Sequence, residues 1–329
     1  MTNLTFDWQI EEFMVYCQSK QLRPKTIASY DQALRLFQRW CEDSRRISKV
    51  DDVTEGDVRR YINELQQRGK YSFYANDKQK LINYPERRRD FRQKISATTI
   101  NNYLRNLGVF FRWLDDSYLL KKNPMKAIKP LKNPRKPKEY LTDESFKRLI
   151  LALDKSYFSE HRDFAMIVLM FDTGMRLGEC SRLLISDLDL MGNTIHLREE
   201  ETKGCKSRTV YFSPKTEKIL RRWLQFKDRY VESNYLFPTK GSGDHVDVHG
   251  FETNFSRYLK RCGIKEKISP HCLRNNFAKR CLMNGMDIYT LSKILGHSSV
   301  TVTEEAYLDL TDDDIGARYQ NFSPMRKIQ

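Results

Sequence analysis

The feature that most constrains the fold of this chain is a basic, proline-rich stretch near its middle. Residues 121–138 read KKNPMKAIKPLKNPRKPK and contain eight basic residues, four prolines and no acid. Proline removes backbone donors and fixes φ, so this density predicts an extended linker rather than a helix. The linker divides the 329 residues into two parts that are each long enough for a core. We therefore predict a helical domain at 1–120, the linker at 121–138 and a second domain at 139–329.

Positive charge is concentrated before residue 140. Counted along the sequence, residues 1–140 carry 29 Lys and Arg against 17 Asp and Glu, whereas residues 141–329 carry 29 against 26. A positive block attracts a polyphosphate partner, because binding releases condensed counterions. An acidic membrane surface or a solvated face would give the same count. The sequence shows no lipidation signal or basic amphipathic anchor, so we favour nucleic acid as the partner.

The cellular compartment is indicated by signals that the sequence lacks. It has no basic n-region followed by an apolar h-region, and no stretch approaches the ~18 apolar residues of a membrane span. Its seven cysteines are scattered, odd in number and without a CxxC pair, so neither a disulfide framework nor a zinc site is indicated. We expect a cytoplasmic protein with no membrane partner.

The N-terminal part has the apolar spacing of a small helical domain, with apolar residues three and four apart. The predicted helices are Trp8–Gln18, Pro24–Cys41, Glu55–Gln67 and Thr98–Leu114. Thr26, Thr54 and Thr98 stand near helix starts, where a side-chain oxygen caps the first amides and exposed amides accept a phosphate. Residues 69–96 interrupt the pattern, and their polar, aromatic and basic composition fits either a loop on the DNA side or a disordered insertion.

The C-terminal part is predicted to be mostly helical with one small β element. Residues 193–198 and 208–212 alternate like strands and are joined by EEETKGCKS, which predicts a hairpin with an enlarged, charged loop. Asp163–Phe171 is apolar nearly all round, so it predicts a buried helix. Further helices are predicted after Thr142, after Gly174, and over Pro214–Lys227, Gly250–Cys262, His271–Met283 and Ile288–Leu295. The predicted fold class is therefore mainly α with a small β-hairpin or sheet, as a helical domain followed by a mixed α+β domain.

Several common enzyme motifs are absent from the sequence. We find no GxxxxGK[ST] phosphate loop, GxGxxG, HExxH or GxSxG. HVDVH places His245 and His249 at i,i+4, a spacing that binds metal on a helix. Alternation with valine and the preceding GSGD favour a loop or short strand there, so we predict no metal site.

A set of cations, histidines and one tyrosine recurs through the C-terminal part. Its members are Arg176, Lys203, His271, Arg274, His297 and Tyr307. Taken singly, each has an ordinary explanation, such as a surface ion pair or a solvated lysine. Together they provide the side-chain types that phosphoryl transfer without a metal requires. Guanidiniums bind the phosphate oxygens, imidazoles and a lysine move protons, and a tyrosine attacks.

The order of these residues resembles the tyrosine recombinase family, which includes phage-type integrases and Xer-like recombinases. The likeness covers roughly residues 7–325 and rests on TGMRLGE, TKG, HCLRNNF and LGHSS followed by a tyrosine. It implies a helical core DNA-binding domain, a basic linker and a catalytic domain, in a two-domain, Xer-like architecture. It also implies cleavage of duplex DNA through a 3′-phosphotyrosyl bond and rejoining, without ATP, metal or another cofactor.

The resemblance assigns roles to the residues that match its motifs. Arg176 and Arg274 resemble the arginines that bind the scissile phosphate. Lys203 resembles the hairpin lysine that acts as general acid, and His271 resembles the general acid/base. Glu179 matches the acid that follows the first arginine, and its i,i+3 position would let it orient the site.

The last two site residues lie near the C-terminus. His297 resembles the second histidine, which contacts the scissile phosphate, and Tyr307 resembles the nucleophile. In the family the tyrosine usually stands nine positions after this histidine, whereas here it stands ten positions after it. Tyr319 is the rival nucleophile, and Lys206 is the alternative to Lys203.

Contact with DNA is expected mainly from the N-terminal part and the linker. The candidate residues are Arg23, Lys25, Thr26, Arg87, Arg88, Arg105, Lys129, Lys132 and Arg135.

The resemblance further implies a homo-oligomer, a tetramer in the synapse, held together through the C-terminal tail.

The biological role has more than one candidate at this stage. Integration or excision of a mobile element is our main prediction, because residues 69–96 form an insertion. A Xer-like chromosome-dimer resolvase is the alternative. A catalytically degenerate DNA-binding protein and a topoisomerase that shares the nucleophile chemistry stay open.

Overall fold

The chain, described here from a computed structural model, divides into two compact units, Met1–Arg135 and Lys136–Gln329. The described residues are 4–75, 84–134, 140–202, 206–266, 268–297, 299–307, 312–313, 315–316, 319 and 323. Both units are mainly helical, and the described sheet has three short antiparallel strands. The predicted fold class, mainly α with a small β element, is confirmed.

The N-terminal unit is built around four α-helices in its described part. They are α1 (Phe6–Ser19), α2 (Pro24–Trp40), α3 (Glu55–Gln67) and α4 (Ala97–Asp116). Their apolar faces meet in an aromatic core, where the buried Phe37 ring packs edge-on against Tyr61 and Phe111, with centroids 5.0 and 6.0 Å apart. Such edge-to-face pairs add to the stability that burial of the rings provides.

The three threonines predicted to cap helices differ in the structure. Thr54 caps α3, because its hydroxyl accepts a hydrogen bond from the Asp57 amide at 3.3 Å in a capping box. The prediction was wrong for Thr26 and Thr98, since α2 begins two residues before Thr26 and α4 one residue before Thr98. Both threonines therefore lie inside the first turn, and the cap of α4 is Ser96.

The insertion at 69–96 forms a loop in its described part. Gly69 and Lys94 pair in an isolated β-bridge, and the Arg88 guanidinium lies 4.7 Å from the centre of the Tyr71 ring. The loop is therefore held at its base by backbone pairing and on its surface by cation–π stacking. Residues 76–83 lie outside the described part.

The described part of the linker, residues 121–134, contains no helix but is not a free tether. The Leu131 amide donates to Asn101 Oδ1 at 2.8 Å, and Asn101 Nδ2 donates to the Leu131 carbonyl at 3.0 Å. Asn133 Nδ2 donates to Thr98 Oγ1 at 2.8 Å. Hydrogen bonds to the side chains of Asn101 and Thr98 therefore fasten the linker along α4.

The C-terminal unit packs around a central buried helix. Its helices are α5 (Asp143–Leu151), α6 (Phe158–Thr173), α7 (Leu177–Ser181), α8 (Pro214–Lys227), α9 (Val248–Arg261), α10 (His271–Met283), α11 (Ile288–Leu295) and α12 (Val300–Tyr307). α6 is buried along most of its length, as its apolar sequence predicted, and it packs against α8 and α10. It therefore holds together the helices that carry the candidate site.

A three-stranded sheet lies in the same unit. Its strands β1 (Leu188–Asp189), β2 (Thr194–Leu197) and β3 (Arg208–Tyr211) are antiparallel and in sequence order. The predicted hairpin is formed by β2 and β3, which pair Ile195 with Val210 in the core. β1 was not predicted, because two residues are too few to show an alternating pattern.

The HVDVH segment spans a helix start. Asp247 caps α9 through a hydrogen bond from the Gly250 amide at 3.0 Å, so His245 lies before the helix and His249 inside it. Over the part of the chain that the structure describes, no three potential metal ligands converge.

Within the same residues, no helix is long and apolar enough to cross a bilayer.

Candidate active site

One buried carboxylate, Glu179, organises the cationic cluster of the C-terminal unit. Its Oε2 accepts the Arg176 amide at 2.8 Å, and its Oε1 accepts Arg176 Nη1 at 2.8 Å. Burial would raise the Glu179 pKa, but the hydrogen bonds and charges of Arg208 and Arg176 outweigh it and hold the pKa below its usual value. Glu179 is therefore a fixed negative charge that orients both arginines.

Arg208, the first residue of β3, binds the same carboxylate as Arg176. Its Nη1 and Nη2 donate to the two oxygens of Glu179 at 3.1 and 2.7 Å, and its Nε donates to the Ile294 carbonyl at 3.0 Å. A bidentate contact of this kind fixes the plane of the guanidinium. Arg208 therefore ties the hairpin to α7 and to the end of α11. Sequence reasoning treated it only as a strand residue and missed its role.

Arg274 on α10 is the most buried of the clustered arginines. Its residue is 4% exposed, and its Nη1 and Nη2 donate to the carbonyls of Gly174 and Leu295 at 2.8 and 2.7 Å. Burial, followed by the positive charge of Arg176, lowers the Arg274 pKa to about 9. The side chain therefore stays charged at neutral pH.

Gly174, at the C-terminal end of α6, supplies one of these carbonyls. Its φ is +66°, which favours glycine, and a Cβ there would lie 2.4 Å from the Phe277 ring and 2.9 Å from Leu295 Cδ2. The glycine in TGMR is thus required both by its backbone conformation and by close packing.

His297 follows Gly296, the C-cap of α11, and is half-buried. Its Nδ1 lies 2.7 Å from Thr303 Oγ1. Burial, followed by the charges of Arg274 and Arg176, lowers the His297 pKa to about 4. The imidazole is therefore neutral at physiological pH and carries one N–H.

His271 is the first residue of α10 and is exposed. It lies three residues before Arg274, so both occupy one face of the helix. Its charge also contributes to lowering the His297 pKa. The histidine, the two predicted arginines and His297 therefore belong to one cluster.

Tyr307 is the last residue of α12, and its side chain lies outside the described part. Position 307 is one helical turn beyond Thr303, on the same face of α12. Thr303 is 1% exposed and contacts His297. The rival Tyr319 is 58% exposed.

The hairpin loop opens on a cleft beside His297. Lys203 lies outside the described residues, whereas Lys206 is exposed and lines this cleft of about 780 Å³ together with Arg208 and His297. The Lys206 amide donates to Thr202 Oγ1 at 3.0 Å, which closes the loop at its base.

The cluster carries more positive than negative charge in a largely buried setting. Among the described residues, Arg176 and Arg208 bind the carboxylate of Glu179, and its charge also acts on Arg274. An anion with several acceptor oxygens, such as a phosphodiester, would relieve the remaining repulsion and would receive N–H donors in fixed positions.

The residues predicted to contact DNA lie in the N-terminal unit. Those that are described and exposed are Arg23, Lys25, Thr26, Arg87, Arg88, Arg105, Lys129 and Lys132. They fall at the start of α2, in the insertion loop, on α4 and along the linker. Arg135 lies outside the described part. Their contact with DNA stays a prediction.

Two families of domains match this chain. Residues 139–314 match the phage integrase family, and residues 10–75 match the phage integrase N-terminal SAM-like domain. A curated relative, tyrosine recombinase XerC of Listeria monocytogenes, is 26% identical over 95% of this chain and 97% of its own length. The XerC of Thermodesulfovibrio yellowstonii is 31% identical over 64% of this chain and 70% of its own length.

Solved structures of related enzymes are also similar to this chain over almost its whole length. The crystal structure of XerA recombinase is 27% identical, with a TM-score of 0.51, and the match covers 97% of this chain and 99% of XerA. A fragment of the Tn1549 transposon integrase, in complex with a circular intermediate DNA, has a TM-score of 0.74 at 19% identity, over 97% of this chain and 100% of the fragment. At 19% identity, the similarity to the integrase concerns the fold alone.

This chain belongs to the phage integrase family of tyrosine recombinases, enzymes of site-specific recombination that break and rejoin DNA. The predicted family and enzyme class are confirmed. The roles of the individual site residues stay predictions.

Proposed function

We propose that this recombinase binds duplex DNA and cleaves it through Tyr307, with Arg176, Arg274 and His297 holding the scissile phosphate. The observation that carries the proposal is a cluster in which Arg176 binds Glu179 and the charges of Arg176 and Arg274 act on the neutral His297, inside the unit that matches the phage integrase family. Donors that are fixed before the reaction and shielded from water stabilise developing charge better than mobile ones. The arrangement suits the pentacoordinate phosphorus of a phosphoryl transfer.

The proposed reaction is a balanced exchange of phosphodiester bonds. The phenol oxygen of Tyr307 forms a bond to phosphorus while the bond to the 5′-oxygen breaks, which leaves a 3′-phosphotyrosyl link. The phenol proton passes to His271, and Lys203 protonates the leaving 5′-oxygen. Attack by the 5′-hydroxyl of a second strand reverses the step, because the covalent link keeps the energy of the broken bond.

The path of α12 supports Tyr307 despite the ten-residue spacing from His297. The helix begins at Val300, and Thr303 attaches it to His297 at 2.7 Å. One further turn brings the backbone of position 307 onto the same face.

We assign the reaction to integration or excision of a mobile element. The insertion at 69–96 supports this assignment, because its described arginines add cationic surface to the N-terminal unit. Resolution of chromosome dimers is the second candidate, and the similarity to XerC over 95% of the chain favours it. In either role we propose a tetramer that assembles on cytoplasmic DNA through the C-terminal tail.

A nicked suicide duplex tests the nucleophile. The duplex carries a junction from the DNA segment that encodes this chain, and the wild type is compared with Tyr307→Phe and Tyr319→Phe on a denaturing gel. We expect a covalent protein–DNA band that is lost only in Tyr307→Phe. A band lost only in Tyr319→Phe would show that the nucleophile was misassigned. Binding without any band in the wild type would favour a degenerate DNA-binding protein.

A deletion strain separates the two biological roles. Loss of a mobile-element recombinase should abolish the excised circle, which amplification across its joined ends detects, and should leave chromosome segregation normal. Loss of a resolvase should instead produce unresolved chromosome dimers. The catalytically inactive Tyr307→Phe chain, supplied in the same strain, shows whether either effect requires cleavage.

A further inference from the structure

A second positively charged cavity lies in the C-terminal unit. It encloses about 310 Å³, and its polar lining consists of Lys155, His161, Lys215, Lys218 and Arg222. Apolar side chains complete the wall, and no acid lines it. A concave site whose polar groups are cationic or imidazole is suited to an anion.

This cavity is separate from the candidate active site. His161 lies in the first turn of α6, whereas Gly174, whose carbonyl binds Arg274, follows the last residue of that helix. Thr173 lies twelve positions after His161, and at a rise of about 1.5 Å per residue the two are about 18 Å apart. An anion bound at one end would not contact the cluster at the other.

The cations of the cavity have no negative partner within the described residues. Lys215, Lys218 and Arg222 project from α8 and are exposed, and no carboxylate described in the structure lies within ion-pair distance of them. Lys155 Nζ lies over the Phe164 ring, 4.7 Å from its centre. The neighbouring Arg221, in contrast, pairs with Glu217. Repulsion among the unpaired cations would fall on binding of an anion.

One residue of the lining, His161, has a buried ring nitrogen that is unsatisfied. Its residue is 9% exposed, and its Nδ1 is buried without a hydrogen-bond partner. Burial and the charge of Lys155 lower its pKa, and a hydrogen bond with the Lys155 backbone opposes this. Buried nitrogen atoms without partners are uncommon in folded proteins. A ligand with oxygen atoms and an exchangeable proton would satisfy this one.

We propose that this cavity binds a phosphate group independently of the catalytic cluster. Phosphate oxygens would accept from Arg222 and the lysines, and a phosphate hydroxyl would donate to His161 Nδ1. The volume is at the lower end of the roughly 300–1,000 Å³ of small-molecule sites, which suits a phosphate with a small attached group. Two sources offer phosphate oxygens to the cavity, a phosphorylated small molecule and the backbone of DNA, and only the first also carries a hydroxyl on phosphorus.

The test uses the full chain with isotope-labelled histidines. The His161 NMR signal, assigned by its loss in His161→Gln, is followed during titration with inorganic phosphate and, separately, with a short random duplex. Arg222→Gln removes one lining cation, and Arg221→Gln is the matched control next to it on α8. We expect the dissociation constant to rise roughly tenfold in Arg222→Gln, the loss of one charge-assisted contact, and to be unchanged in Arg221→Gln.

The two titrations distinguish the sources. A His161 shift with phosphate alone supports a small phosphorylated ligand, and a shift with the duplex alone supports the DNA backbone. No shift with either, or equal affinity in Arg222→Gln and the wild type, would overturn the proposal. Lys218→Gln repeats the test if Arg222→Gln does not fold. Because His161 reports on this cavity only, the outcome is independent of covalent cleavage by Tyr307.

Discussion

The two units hold their positive charge in opposite ways. In the N-terminal unit, cations such as Lys25, Arg105 and Lys129 are exposed. In the C-terminal unit, Arg208 and Arg274 are largely buried and are fixed by a carboxylate and by backbone carbonyls. Exposed cations adapt to many phosphates, whereas buried ones keep one geometry. We expect the exposed cations to provide general attraction to DNA and the buried ones to act at a single phosphate. Substitutions in each unit test this contrast.

The largest expected effect comes from Arg208→Gln. This change leaves the Glu179 carboxylate buried with only its contacts to Arg176, and breaking a buried ion pair costs about 3–5 kcal/mol. Urea unfolding of the full chain should show this loss in the transition of the C-terminal unit. The covalent band on the suicide duplex should fall with it.

A matched control tests whether burial of the ion pair causes the loss of stability in Arg208→Gln. Arg221 pairs with Glu217 on the surface of α8, with 49% of the arginine side chain exposed, so Arg221→Gln should cost about 0–1 kcal/mol. Equal losses in the two variants would mean that the contrast between buried and exposed cations is wrong.

The second effect in size concerns the backbone that holds Arg274. Gly174→Ala places a Cβ 2.4 Å from the Phe277 ring at a φ of +66°, and strain with overpacking should lower the free energy of unfolding by about 2 kcal/mol. Gly241→Ala is the control, because a Cβ there meets nothing within 4 Å. Thermal unfolding of both variants measures the difference. An unchanged Gly174→Ala chain would show that the Gly174 carbonyl is not rigidly placed.

A third, smaller effect is the titration of His297. Its pKa is lowered to about 4, against about 6.5 in the unfolded chain. As pH falls through this window the unfolded chain binds a proton that the folded chain does not, so stability declines. NMR titration should show a neutral His297 above this range, and a raised pKa in Arg176→Gln because one positive charge is removed. The same pKa in both chains would contradict an electrostatically coupled cluster.

The smallest effect is expected in the N-terminal unit. Arg105→Gln removes one exposed cation on α4 and should reduce the slope of log affinity against log salt by about 1 if Arg105 contacts a phosphate. Arg59→Gln is the control, since Arg59 is exposed but paired with Glu55 at 2.7 Å. Binding to a random duplex at several salt concentrations gives both slopes. Equal slopes would remove Arg105 from the contact surface.

Local features of the sequence were sufficient to place most of the helices. The predicted bounds of α3, α8, α10 and α11 agree with the structure, because apolar spacing and helix-start residues are encoded within each segment. Caps were less predictable: Ser96, not Thr98, caps α4, since neighbouring hydroxyl residues are equally suitable. The two-residue strand β1 had no pattern long enough to detect.

The candidate site also combines features that the sequence shows with contacts that only the folded chain makes. The sequence by itself determined the residue types and order that define the family, and the spacing that sets Glu179 beside Arg176. Only the tertiary structure decided that Arg208 binds the same carboxylate from 29 positions away, and that Arg274 meets the Gly174 carbonyl from 100 positions away. Helical periodicity acts over one or two turns, whereas these contacts depend on how the helices and hairpin pack together.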